Sequence, residues 1–379
     1  MAATAPATSS SRSLSLTKFI SRLRGHKSKE SLSNKEPETG PTDTRPPLIN
    51  SPLPLVLPEH QQALSNLGWT TVTFPQPDPS GYPSLSGPHP LQTAYEALFA
   101  ASQAFFAQPA AEKAQWKHRL GSEEGWSSIP GEKEFITLRT LEYCPEILRE
   151  PAKRYWDLMG AYLEDSLGRI AVSLDLPEPH DATKGLKRFV GPCGKMQQRE
   201  DQKTASMLRL FRYEGWEAKE VAEPHADLGL LSAVVGDVPG LEVWDGEKWF
   251  EVEREVKKSG MHGASLLAGR QLEVLSNGRY PAGGHRVVSY GDAKGGKDGE
   301  KRYRFSIVFV LRAYGPVVIN SDDLETVVTG KWLKPVHGQT AGEMYANIRS
   351  SHFNVNIGIE EREKQKQTAM KAQEQGGSS

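Results

Sequence analysis

From Met207 to Ile319 the chain is a succession of short alternating or apolar runs broken by Gly, Pro, Asn and Asp. No other feature of its 379 residues constrains the fold as tightly. Several short strands at such spacing predict a sandwich or barrel. Upstream the period changes. Leu91, Tyr95, Leu98, Phe99, Phe105 and Phe106 fall near one apolar stripe, and Pro109 closes it, which predicts a helix over about 91–106. Tyr155, Trp156, Met159, Tyr162, Leu163, Leu167 and Ile170 repeat at helical spacing and predict a longer helix over about 152–174. These aromatics read as core, not as a cofactor box. A period-two, β-branched stretch, Trp69–Phe74, reads as one further strand. No internal repeat is present.

Composition removes several function classes. Forty-six basic residues nearly cancel 47 acidic ones, so no chain-wide footprint for nucleic acid or anionic lipid exists. The core has no basic stripe interleaved with aromatics. No run approaches the roughly 18 apolar residues of a membrane span. Two cysteines, Cys144 and Cys193, exclude a disulfide scaffold and a Cys-rich zinc module, and they fit a reducing compartment. Residues 1–50 are polar and read as a disordered tail. In that tail Arg12, Lys18, Arg22, Arg24, Lys27 and Lys29 all precede the first acid, Glu30, while Leu14, Leu16, Phe19, Ile20 and Leu23 suit a short amphipathic helix. A mitochondrial presequence is therefore the alternative to a cytoplasmic location. The Gly/Lys-rich stretch 291–301 reads as a mobile hairpin tip, and the chain from about Glu360 as a polar tail.

His225 and Asp227 lie two apart in Glu223-Pro-His-Ala-Asp, so on a strand their side chains share a face. One imidazole and one carboxylate need a third partner to chelate an ion. His285, in Gly-Gly-His-Arg-Val-Val, is the candidate, and His262 ranks behind it. The other seven histidines (26, 60, 89, 118, 180, 337 and 352) read as ordinary core or surface residues. Two imidazoles and one carboxylate on one face of an octahedral ion leave positions open, the arrangement of non-haem Fe(II) oxygenases. Farther on, Arg304 and Ser306 share a strand face, where a planar guanidinium and a hydroxyl can grip one carboxylate.

The runs 225–252, 274–288 and 302–309 carry His-x-Asp, a distal His and Arg-x-Ser in that order. The chain thereby resembles the 2-oxoglutarate- and Fe(II)-dependent oxygenases, and more closely their isopenicillin N synthase-like branch. Around these motifs Gly240–Val243, the Trp249 turn and Ser-Asn-Gly-x-Tyr before His285 also match. Two features depart from the pattern. The His285–Arg304 interval is long, and Ala268-Gly269-Arg270 replaces the usual aspartate after the glycine that precedes the distal histidine.

The resemblance implies a mainly β fold with α, a double-stranded β-helix (distorted jelly roll) with flanking helices. It implies a 51–200 N-terminal helical region, a 201–320 oxygenase core and a 321–358 C-terminal segment closing the site, between a disordered or targeting tail, 1–50, and a polar tail, 359–379, that composition alone marks. It implies that His225, Asp227 and His285 hold Fe(II), that Arg304 and Ser306 hold the far carboxylate of 2-oxoglutarate, and that Tyr213 bonds its inner carboxylate. The implied reaction couples oxidative decarboxylation of 2-oxoglutarate by O2 to hydroxylation, desaturation or cyclisation of a small organic substrate. A monomer without nucleic-acid or membrane partners is expected. Three alternatives stay open: an isopenicillin N synthase-like oxidase that uses no 2-oxo acid, a jelly-roll protein that binds metal or ligand without turnover, and, ranked lowest, a zinc hydrolase.

Overall fold

The computed structural model describes residues 43–74, 88–118, 123–177, 185–214, 217–258, 260–291 and 303–350. The basic segment 12–29 and the tail from 359 lie outside the described residues. Two antiparallel sheets face each other. The larger has seven strands in the order β1-β9-β6-β11-β4-β3-β2, and the smaller has four in the order β5-β10-β7-β8. The strands of the large sheet are β1 (Trp69–Phe74), β2 (Gly125–Ile129), β3 (Lys133–Leu138), β4 (Met207–Glu214), β6 (Leu231–Gly236), β9 (His262–Ala268) and β11 (Tyr303–Leu311). Those of the small sheet are β5 (Ala218–His225), β7 (Leu241–Trp244), β8 (Trp249–Phe250) and β10 (His285–Tyr290).

Strands β3, β4 and β6 of the large sheet are buried along almost their whole length, so both phases of their pleat face packed interior. On β11, Ile307, Phe309 and Leu311 point outward into the core formed with the helices. The Phe309 ring meets Trp156 at a centroid distance of 5.0 Å. In the opposite phase, Arg304 and Ser306 are also buried, and Val308 packs on a second cluster built from Phe135, Phe211, Tyr213, Val221, Val234, Leu241, Val243 and Val287. That cluster draws on both sheets and fills the inside of the roll.

The helix predicted over 91–106 spans Pro90–Ala107, with proline at its first position and His89 Nδ1 accepting from the Leu91 amide. The longer helix begins earlier than its apolar repeat, at Glu146, and ends at Ser173. Pro151 lies inside it and lacks the amide that would bond the Ile147 carbonyl. Ile147 is 40% exposed, so the break falls at the solvent side. The hairpin β2–β3, which extends the large sheet, was not legible in the sequence; Ser127, Ser128 and Lys133 mask its pattern.

The strands on either side of the stretch 291–301 do not pair with each other: β10 pairs with β5 and β7, whereas β11 pairs with β4 and β6. Residues 292–302 themselves lie outside the described residues.

Candidate active site

His225 ends β5 and His285 begins β10, and the antiparallel register sets them opposite each other. Their ring centroids are 4.2 Å apart. Asp227 lies beyond the end of β5, so strand alternation does not place it. Its carbonyl accepts from the Arg270 amide at 2.8 Å, and Gly269 N and Gln271 N bond Leu230 O and Gly229 O. The Ala-Gly-Arg departure is thus the start of a short helix, Arg270–Leu275, that clamps the Asp227 loop. The ligand atoms of His225, Asp227 and His285 all lie within 4.8 Å of one another. His262, the rival, stands exposed at the start of β9 with Nδ1 2.9 Å from Tyr95 Oη, outside this cluster.

Both rings are oriented by carbonyls. His225 Nδ1 donates to Glu223 O at 2.7 Å, and His285 Nδ1 donates to Gly283 O at 3.1 Å. A carbonyl only accepts, so Nδ1 carries the proton and each Nε2 keeps its lone pair. Burial, and then the neighbouring His285, lower the His225 pKa to about 3, so the ring is neutral at physiological pH. Burial would raise the Asp227 carboxyl, but the imidazoles in their charged forms outweigh it and hold the group below its usual value. Asp227 Oδ2 is buried and makes no hydrogen bond of ordinary geometry, and the Ser232 hydroxyl beside it helps to keep the carboxyl ionised. Two free imidazole lone pairs and an orphaned carboxylate oxygen suit a divalent cation.

Gly283 explains how the loop before His285 is seated. A Cβ there would lie 2.2 Å from the Gly68 carbonyl oxygen. Gly283→Val should therefore shift the His285 loop, and we expect it to lower Fe(II) affinity about tenfold or more, as loss of a ligand's positioning does. Calorimetric titration with Fe(II) under anaerobic conditions checks this.

Deeper in the roll, one row of the large sheet aligns Lys133, Tyr213 and Arg304 across β3, β4 and β11. The next inward row aligns Phe135, Phe211 and Ser306, so Ser306 sits one step along the strand from Arg304 on the same face. The guanidinium lies 5.5 Å from the Tyr213 ring centroid. Its Nη2 bonds both carboxylate oxygens of Glu253, at 3.0 and 2.9 Å, and Nε donates to Val238 O. Its Nη1 is buried without a partner. Gly236 and Gly240 leave the channel for this side chain, since a Cβ on either would come within 2.6 Å of the guanidinium nitrogens. Burial raises the Tyr213 pKa to about 12, so its hydroxyl is protonated and able to donate.

Three residues of this interior were missed in the sequence. Lys133 is 2% exposed, its Nζ 6.0 Å from the Tyr213 ring centroid. Its signal was its phase with Phe135 and Thr137. Arg209 likewise shares the phase of Phe211 and Tyr213. Glu253 sits in the charged run Val-Glu-Arg-Glu-Val-Lys-Lys, where nothing distinguishes it from its neighbours.

Residues 204–313 match the sequence profile of the 2OG-Fe(II) oxygenase superfamily. The chain therefore carries a 2OG-Fe(II) oxygenase domain over that segment. It is an Fe(II)- and 2-oxoglutarate-dependent dioxygenase, and the two facing sheets are the double-stranded β-helix of that group. The match is to the superfamily and does not single out the isopenicillin N synthase-like branch. Among solved structures, the oxygenase is similar to a full-length Neurospora crassa protein in complex with alpha-KG and 5-formyluracil, at 17% identity and a TM-score of 0.54, covering 76% of this chain and 88% of that one. It is similar also to JOX2 in complex with 2OG, Fe and JA, at 17% identity and a TM-score of 0.54, covering 76% and 78%. Among curated proteins no sequence matches it. No helix among the described residues of the oxygenase is long and apolar enough to cross a membrane.

Proposed function

We propose that His225, Asp227 and His285 hold Fe(II), that Arg304, Ser306, Tyr213 and Lys133 receive 2-oxoglutarate, and that the oxygenase hydroxylates, desaturates or cyclises a small organic substrate. The observation that carries this reading is the pairing of two features on the inside of one roll. Asp227 and two imidazoles gather their ligand atoms at one point, and Arg304 Nη1 is a buried donor with no protein acceptor. Bound Fe(II) and 2-oxoglutarate supply oxygen activation coupled to decarboxylation of the 2-oxo acid. The chain supplies the rest. The Glu223 and Gly283 carbonyls fix both ring tautomers, Tyr213 offers a protonated hydroxyl, and the apolar walls from Phe135, Phe211, Val234 and Val287 exclude water.

Glu253 neutralises Arg304, so the pair alone offers a dianionic cosubstrate little net charge. Lys133, in the same row, provides it. Lys133→Met should weaken 2-oxoglutarate binding about 10–100-fold, the range for a lost hydrogen bond between charged groups. The titration that tests the whole reading also reports this variant. Fe(II) and then 2-oxoglutarate are added anaerobically, and the visible charge-transfer band of the chelated keto acid is followed. A band that saturates in wild type, with succinate formed when air is admitted, supports the reading. Iron binding without a band would instead leave Arg304 and Ser306 to hold a substrate carboxylate, as in the oxidase that uses no 2-oxo acid.

A further inference from the structure

Arg209 occupies the row of the large sheet beyond Phe211, beside Thr137 on β3 and Val308 on β11. It is 8% exposed and faces the inside of the roll. Nε donates to Thr137 Oγ1 at 2.7 Å, and the guanidinium lies 5.4 and 6.0 Å from the Phe135 and Phe211 ring centroids. Its two Nη groups have no hydrogen-bond partner among the described residues.

The acids near it are committed elsewhere. Glu123 is bonded by Arg312 at 2.8 Å, and Asp227 belongs to the proposed metal cluster. Arg312 adds a second guanidinium to this end of the roll, held also by Ala205 O and lying 4.7 Å from the Tyr345 ring centroid. Both arginines lie close enough to feel the Asp227 charge. A buried cation without a counter-ion is costly unless a ligand supplies one.

That ligand is not the 2-oxoglutarate held by Arg304. Arg209 and Tyr213 are four residues apart on β4, about 13 Å at roughly 3.3 Å per residue. We infer that Arg209 binds the carboxylate of the substrate, with Phe135 and Phe211 against its apolar body, so that the oxygenase acts on a small organic acid. The inference rests on the iron and 2-oxoglutarate reading only for what happens next to the bound acid.

The test uses the full chain, metal-free and also loaded anaerobically with Fe(II) and 2-oxoglutarate. The probes are octanoate, phenylacetate and 4-phenylbutyrate, each beside its primary amide, and the readout is the shift in melting temperature. At least one acid should stabilise wild type where its amide does not. Arg209→Met should weaken that acid about 10–100-fold, with Arg209→Lys recovering part of the loss. Arg209→Met should also melt at or above wild type without ligand, since it removes an uncompensated buried charge, and it should keep the 2-oxoglutarate band. Acids and amides acting alike, no acid binding, or undiminished binding by Arg209→Met would each overturn the inference. So would loss of 2-oxoglutarate affinity in Arg209→Met, which would make Arg209 a cosubstrate residue. Failure of wild type to form the band brings down the iron reading alone, because the comparison of acid with amide on the metal-free chain still judges Arg209.

Discussion

Asp227→Ala should abolish turnover while leaving the fold in place. The carboxylate brings the only negative charge to the three-residue cluster. Its removal should cost more than the 10–100-fold in metal affinity typical of losing a mere supporting hydrogen bond to a ligand. The backbone contact that seats the loop, Arg270 N to Asp227 O, survives the substitution. The substitution leaves the Ser232 hydroxyl as the side-chain donor beside the lost carboxylate. Melting of the metal-free variant should therefore stay within about 3 °C of wild type, the shift of roughly one kcal/mol. Saturating Fe(II) separates the two proteins. At a hundred times the dissociation constant a ligand stabilises the native state by about 2.7 kcal/mol, and only wild type should gain it. A variant that still melts higher with Fe(II), or still forms succinate, would remove Asp227 from the metal site.

How much of this was legible depends on whether a residue's role shows in its own neighbourhood. The clustering of His225, Asp227 and His285 was readable because these residue types are scarce and their order is distinctive. Of the histidines, His225 and His285 alone sit in such a pattern, and the register of β5 against β10 brings them together. The barrel was readable from the short broken runs, and the helices from their aromatic stripes. Lys133 and Arg209 were harder. Each is a charged residue in phase with buried aromatics, and a strand written with one charge in its apolar phase looks in sequence like a strand whose other face is inside. Which face was inside depended on the seven-stranded order, in particular on β3 joining β4 across more than sixty intervening residues. Whether the strands that flank 291–301 pair with each other was illegible for the same reason, because it is a property of the whole topology.

Arg304 is the residue where stability and function pull on one side chain, and the two can be separated. It is 5% exposed and bonded bidentately by Glu253, whose Oε2 also accepts from Gly240 N and Leu241 N at 2.8 Å. Removing one partner of a buried ion pair costs about 3–5 kcal/mol. Arg304→Ala should fall toward the lower end of that range, because two amides still satisfy Glu253. The same variant loses the partnerless Nη1 and should weaken 2-oxoglutarate about a hundredfold, as truncating a buried charge pair of some 2–5 kcal/mol implies. A second substitution divides these effects. Glu253→Gln in the Arg304→Ala background removes the stranded charge and should return part of the lost stability without returning any 2-oxoglutarate affinity. Glu253→Gln alone leaves Arg304 charged and frees Nη2, so the cosubstrate should bind as tightly as in wild type or more tightly. Urea denaturation and the charge-transfer titration read the two quantities independently. If affinity recovered in step with stability, Arg304 would be a structural member of an ion pair, and the anchoring of the cosubstrate would fall to Lys133 and Tyr213.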